Sequence, residues 1–446
     1  MQTADIEHWL KEIGSADPEY CRTFDDLSYL QKYNCQQSLP LSPPNSQNET
    51  TKRLMDDNSS EPAAKRRRGQ DDIDKTPRAP RSQRTKGFPT TSDAPNFTRD
   101  AQAHSVTASQ STQSQASGRS SPSKQLASLE ISPRGFEPRE FTVEDVDLPR
   151  QLCDIRDGLQ DIKDSAFGII SRNWEEEIIT LAKADRQFSR IRNHMFADPT
   201  VRDKFGPTPS PEDARSLATE AADCHVTAQN EAGWNMMVHY PLLSQAVYGS
   251  QRQKQLVGVA PCTTAKIIQE YLQSPTQAKM VDFCIYLDPK DNTTEVEEAR
   301  RILPYGYINH TDFYSLRNRP IALSIETKGA SNTPAGSAEL QIGTWHSAQW
   351  RFLEDLVSRT GGSMDGLPFL PAIIAQGHQW SFAATTRMGQ KTILWLPFQF
   401  GSTDDVIGVY KTVLGLQQLC RWVDGVFWPW YKRNALGISE DGNCTS

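Results

Sequence analysis

The chain has 446 residues, 37% of them hydrophobic, and a formal charge of −7, which allows one large domain or two ordinary ones. The net negative charge excludes a chain-wide basic surface of the kind that marks many DNA-binding proteins, so local patches would have to serve. The longest apolar stretches, such as "LPFLPAIIA" at 367–375, are too short to cross a bilayer, and a mean hydropathy of −0.60 indicates that part of the chain joins no core.

Residues 1–31 hold a short amphipathic element, with Ile6, Trp9, Leu10 and Ile13 on one helical face. It reads as a docking element, and its acidic start is not that of a signal peptide. Residues 32–140 are rich in Ser, Pro and Gln and poor in large apolar side chains. Such a segment buries too little surface to offset its ordering entropy, so it is expected to be disordered. Three basic residues against eight acidic make 1–50 acidic, whereas sixteen against eleven make 51–140 basic. Within that basic stretch, Lys52-Arg53 and Lys65-Arg66-Arg67-Arg68 are separated by eleven residues. This resembles a bipartite nuclear-import signal and predicts the import machinery as a partner and a nuclear location; the alternative is a solvated basic run.

The folded domain is expected over 141–440, with its core at about 205–430. Helical patterns dominate to about residue 250. In "SPEDARSLATEAADC", Ser210 suits the N-cap, Pro211 the first helical position, and Glu212 and Asp213 the first turn. A second helix follows in "NEAGWNMMVHYPLLSQAVYG". Strands are predicted at "TTAKII", "KMVDFCIYLD" and "IALSIETKG", then a long helix, "SAELQIGTWHSAQWRFLEDLVSR", ending at Gly361-Gly362. Three more strands, "PAIIAQ", "WSFAATTRM" and "KTILWLPF", precede a last helix beginning at "DDVIG". The order is that of an α/β domain. Eight scattered cysteines with no CxxC or Cys/His cluster point to free thiols in a reducing compartment.

The chemistry concentrates on two strands. In "IALSIETKG" the odd residues are apolar, while Glu326 and Lys328 share the other face. On an edge strand they would be a solvated ion pair; the apolar run before them favours a central strand. In "MVDFCIYLD", Asp282 departs in the same way from a buried pattern. If the two strands are neighbours, Asp282 and Glu326 can share a hard cation such as Mg²⁺ or Mn²⁺, which needs only one or two carboxylates. Lys328 can then stabilise the nucleophile and the charge developing on a phosphate. Glu231 shares a helical face with Trp234, Val238 and Leu242, and so points inward. Gln341 lies on the stripe Trp345, Ala348, Phe352 and Leu356, as either a core amide or a site residue. His239, His346 and His378 lack metal-ligand spacing, and Ser324 and Ser347 lack a nucleophile's context.

These residues resemble the PD-(D/E)xK nuclease superfamily, more closely the fungal proteins with a PD-(D/E)xK nuclease-like domain. Asp282 stands for the first acid, and Glu326-Thr327-Lys328, 44 positions on, matches (D/E)-x-K. Val281 replaces the usual proline. The resemblance implies a restriction-endonuclease-like core, a mixed central β-sheet flanked by helices. It implies Asp282, Glu326 and Glu231 as metal ligands, and Glu231, Asp282, Glu326, Lys328 and Gln341 as the catalytic set. DNA is the implied substrate. The alternative is an inactive adaptor that keeps the fold and binds protein or nucleic acid.

Overall fold

The computed structural model describes residues 121–141, 147–250, 255–273, 279–330, 334 and 336–438. The N-terminal amphipathic element and both basic clusters lie outside the described residues. So do the disorder and import expectations attached to them, apart from the end of the linker.

That end requires a correction. A helix over Pro122–Ile131 and a strand β1 over Phe136–Arg139 precede residue 141. β1 pairs in parallel with the last strand of the main sheet, and Phe136 is only 1% exposed. Four strand residues amid Ser, Pro and Arg show no periodicity, so composition mistook the edge of the domain for linker. The ring of Phe136 lies against Gly343, where a Cβ would come within 2.5 Å of it.

Among the described residues the main sheet has seven strands. Besides β1 they are β4 (Val257–Pro261), β5 (Phe283–Leu287), β6 (Ile321–Lys328), β7 (Leu370–Gln376), β8 (Gln379–Met388) and β9 (Lys391–Ser402). Two short strands, β2 (Ile170–Ser171) and β3 (Phe196–Ala197), form a separate parallel pair. The order in the main sheet is β1-β9-β8-β7-β6-β5-β4. The pairs β1·β9 and β6·β7 are parallel and the remainder antiparallel. This is the mixed sheet flanked by helices of a restriction-endonuclease-like α/β fold. The predicted strand at "TTAKII" is not one: it contributes a single bridge, Ile267 to Thr311, and β4 lies just before it.

Among the helices of the described residues are α1 (Arg150–Ser165), α2 (Pro211–Val226), α3 (Glu231–Tyr248), α4 (Ser337–Thr360) and α5 (Val406–Trp422). α2 starts as its sequence dictates, with the Ser210 hydroxyl accepting from the Asp213 amide at 3.1 Å. α3 is continuous but passes through a π-helical segment at Asn235–His239. α4 packs Trp345, Ala348, Phe352 and Leu356, each at most 2% exposed, into the core. No helix among the described residues is long and apolar enough to cross a membrane.

Candidate active site

β6 is central, with β5 on one side and β7 on the other, and all eight of its residues are buried. The solvated edge-pair alternative is thereby excluded. Glu326 is 0% exposed and Lys328 is 8% exposed. β5 runs antiparallel to β6, with Phe283 opposite Ile325. Asp282 thus reaches the C-terminal part of β6, where its charge acts on Glu326, so two acids far apart in sequence meet at one place. Asp282 lies one residue before β5, and its amide donates to the Ile325 carbonyl at 3.0 Å.

The side chains are tied to one another. The Lys328 ammonium donates to Oε1 of Glu326, to Oε2 of Glu231 at 3.4 Å and to the Thr327 carbonyl at 2.8 Å. Oδ2 of Asp282 accepts from both the amide and the hydroxyl of Thr327, each at 2.8 Å. Oε2 of Glu326 is buried and has no hydrogen-bond partner. Glu231 begins α3, where Asn230 caps the helix by accepting from Gly233 at 2.9 Å.

Burial is the main reason that the carboxyl groups hold their protons more tightly than usual. It pushes Asp282 and Glu231 up, and Glu326 well up. The negative charge of Asp282 adds to the shift of both glutamates, and Lys328 opposes it. Burial pulls the Lys328 ammonium down, but Glu326, Glu231 and Asp282 outweigh it, so its proton is held more firmly than in water. Three carboxylates against one ammonium leave two negative charges without a counter-charge when all are ionised. Such an excess in a desolvated place calls for a cation.

The donors are hard oxygens and include one buried acceptor with no partner, which fits Mg²⁺ or Mn²⁺. No group of three or more His, Cys, Asp or Glu that could hold a metal ion occurs among the described residues. A divalent ion that keeps several waters needs no more than one or two carboxylates. Glu231 meets the site through Lys328.

The remaining residues divide. Gln341 is half-buried, and its amide donates to the Met280 carbonyl at 3.1 Å, two residues before Asp282. It is therefore not a core amide but a tether on the approach to β5. His346 and His378 pair with threonine hydroxyls, Thr385 at 2.9 Å and Thr403 at 3.2 Å. His239 also supports the site. Burial holds its imidazole down at about 4, so the neutral ring donates through Nε2 to the Gly377 carbonyl at 3.0 Å. The Gly377 amide in turn donates to the Lys328 carbonyl at 3.0 Å. Gly377 turns from β7 into β8 at φ +52°, and a Cβ there would come within 2.9 Å of Ala330, so the close approach requires glycine. π segments recur at functional sites, and this one carries the brace. Sequence reading missed Thr327 and this use of His239. Alternation assigns Thr327 to the apolar face, and nothing local links His239 to a turn 138 residues away.

A mixed sheet whose central strand carries Glu-x-Lys, with an aspartate held against it, is the arrangement of the PD-(D/E)xK fold. The family model described as PD-(D/E)XK nuclease superfamily matches residues 178–428, more than half of the chain, and the chain belongs to that superfamily. No curated protein and no solved structure matches it significantly.

Proposed function

We propose that the protein is a nuclease that hydrolyses phosphodiester bonds of DNA with Mg²⁺ or Mn²⁺. Superfamily membership supports nuclease activity. The observation that carries the finer reading is the buried Glu326 carboxylate, within the field of Asp282, with one oxygen on Lys328 and the other without a partner. Asp282 and Glu326 would hold the ion, which supplies charge neutralisation and lowers the pKa of water. Lys328 keeps its positive charge at neutral pH and is placed to stabilise charge on a phosphate oxygen. Glu231, 44% exposed, holds Lys328 from the solvent side and can accept a proton there. Gln341 positions the segment before Asp282. The test is cleavage of DNA by purified full-length protein in Mg²⁺, arrested by EDTA; no cleavage in either Mg²⁺ or Mn²⁺ would overturn the reading.

A second reading, the inactive adaptor, draws on one observation. Lys328 already pairs with Glu326, and no group of three or more His, Cys, Asp or Glu placed to hold a metal ion occurs among the described residues. A pH experiment separates the two. The folded pKa values of Glu326, Asp282 and Glu231 lie above their ordinary ones, 4.5 for glutamate and 3.8 for aspartate. A group raised in this way stabilises the fold fully below its unfolded pKa and loses that contribution as pH rises through the folded value. Metal-free protein should therefore lose the site's contribution as pH climbs from about 4 towards neutrality. A divalent ion binds the ionised form, so the rise in Tm on adding Mg²⁺ should be larger at pH 8 than at pH 5. An Mg²⁺ effect that is nil at both pH values favours the adaptor.

A further inference from the structure

The motif leaves the residue between Glu326 and Lys328 open, yet here that residue is engaged. Thr327 is 0% exposed, and both its amide and its hydroxyl donate to the same oxygen, Oδ2, of Asp282. Both bonds are charge-assisted when Asp282 is ionised, and such bonds are shorter and stronger than neutral ones. The backbone register alone sets where Asp282 sits, through its amide on Ile325 and its carbonyl on Cys262. It does not set the rotamer. An aspartate just outside a strand could turn either to the mouth of the site or back along the chain. The Thr327 clasp removes that freedom.

We propose that Thr327 is a positioning residue: it clamps one carboxylate oxygen of Asp282 so that the other is presented beside the unpartnered Oε2 of Glu326 as the divalent-cation site. This rests on the nuclease reading above. A residue of this kind acts through the ligand it orients. Loss of such an orienting partner typically costs metal affinity 10- to 100-fold. Only one of the two donors is a side chain, so a substitution removes half of the clamp, and the expected effect lies at the lower end of that range.

The experiment is titration of full-length protein with Mn²⁺, followed calorimetrically and by the loss of the free Mn²⁺ spin-resonance signal. Wild type, Thr327→Val and Thr327→Ser are compared, each with its Tm measured. Thr327→Val keeps the branched shape and loses the hydroxyl, and should bind Mn²⁺ about tenfold more weakly. Thr327→Ser restores the hydroxyl and should return most of the affinity, even if its missing methyl lowers Tm. A merely structural role predicts the reverse, affinity unaltered and Tm following packing. Should Thr327→Val not fold, Thr327→Ala against Thr327→Ser makes the same comparison. Equal Mn²⁺ affinity in wild type and the hydroxyl-free variant overturns the positioning role and leaves the nuclease reading standing. Wild type that binds no Mn²⁺ overturns both.

Discussion

Replacing Asp282 by asparagine should abolish Mg²⁺-dependent cleavage while leaving the metal-free fold as stable as wild type, or more so. The amide oxygen of asparagine can still accept from the Thr327 amide and hydroxyl, the two bonds that Asp282 makes at 2.8 Å. What disappears is a negative charge that burial disfavours and that pushes the carboxyls of Glu326 and Glu231 up. Removing it relieves the fold and, on the proposed function, would deprive the ion of one of its two ligands. Loss of one such preorganised electrostatic partner corresponds to about 10²–10³ in rate. The checks are a plasmid-cleavage assay and Tm in EDTA, on the same preparation. Cleavage unchanged by Asp282→Asn would mean that the activity belongs elsewhere. A large fall in metal-free Tm would mean that Asp282 is an ordinary structural acid. A more stable but inactive variant is the usual signature of a site that spends stability on function.

Lys328→Met should have the largest combined effect. It removes the cation that would meet the phosphate, for a loss of about 10²–10³ in rate. It also leaves Glu326, 0% exposed, without its counter-charge. Breaking a buried pair by removing one partner costs about 3–5 kcal/mol. Glu326 can limit that cost by taking up a proton, since its carboxyl already sits well above the usual range. The double variant Lys328→Met, Glu326→Gln carries no orphaned charge and should recover much of the stability while staying inactive. Denaturant unfolding of both single variants and the double gives the coupling between the two positions. Additivity, with no recovery in the double variant, would show that the pair is not a closed buried unit. Retention of full activity by Lys328→Met would remove Lys328 from the chemistry.

The strands and helices that carry the site were legible because each announces itself locally. The alternation in Ile321–Lys328 identifies the strand, and its polar members identify the pair. Ser210, Pro211 and the acids after them mark the start of a helix for reasons that operate within one turn. β1 was not legible. Four residues have too few periods, and what makes Phe136–Arg139 a strand is its parallel partner on β9, more than 250 residues later. The same holds for "TTAKII", whose β-branched residues favour a strand but find only one bridge.

Glu326 and Lys328 were identifiable as a pair from their two-residue spacing alone, since that spacing places them on one face of any strand. Only the tertiary structure decided that β6 is central, which turns an unremarkable ion pair into a buried one whose charges must be balanced. Only the tertiary structure brought Asp282 to β6, Glu231 to Lys328, and Thr327 to the aspartate. Gln341 and His239 follow the same rule, because each acts on a backbone carbonyl far away in sequence. Local sequence sets dihedral preference and face; which distant strand pairs with which, and in what register, depends on the packing of the whole sheet against its helices.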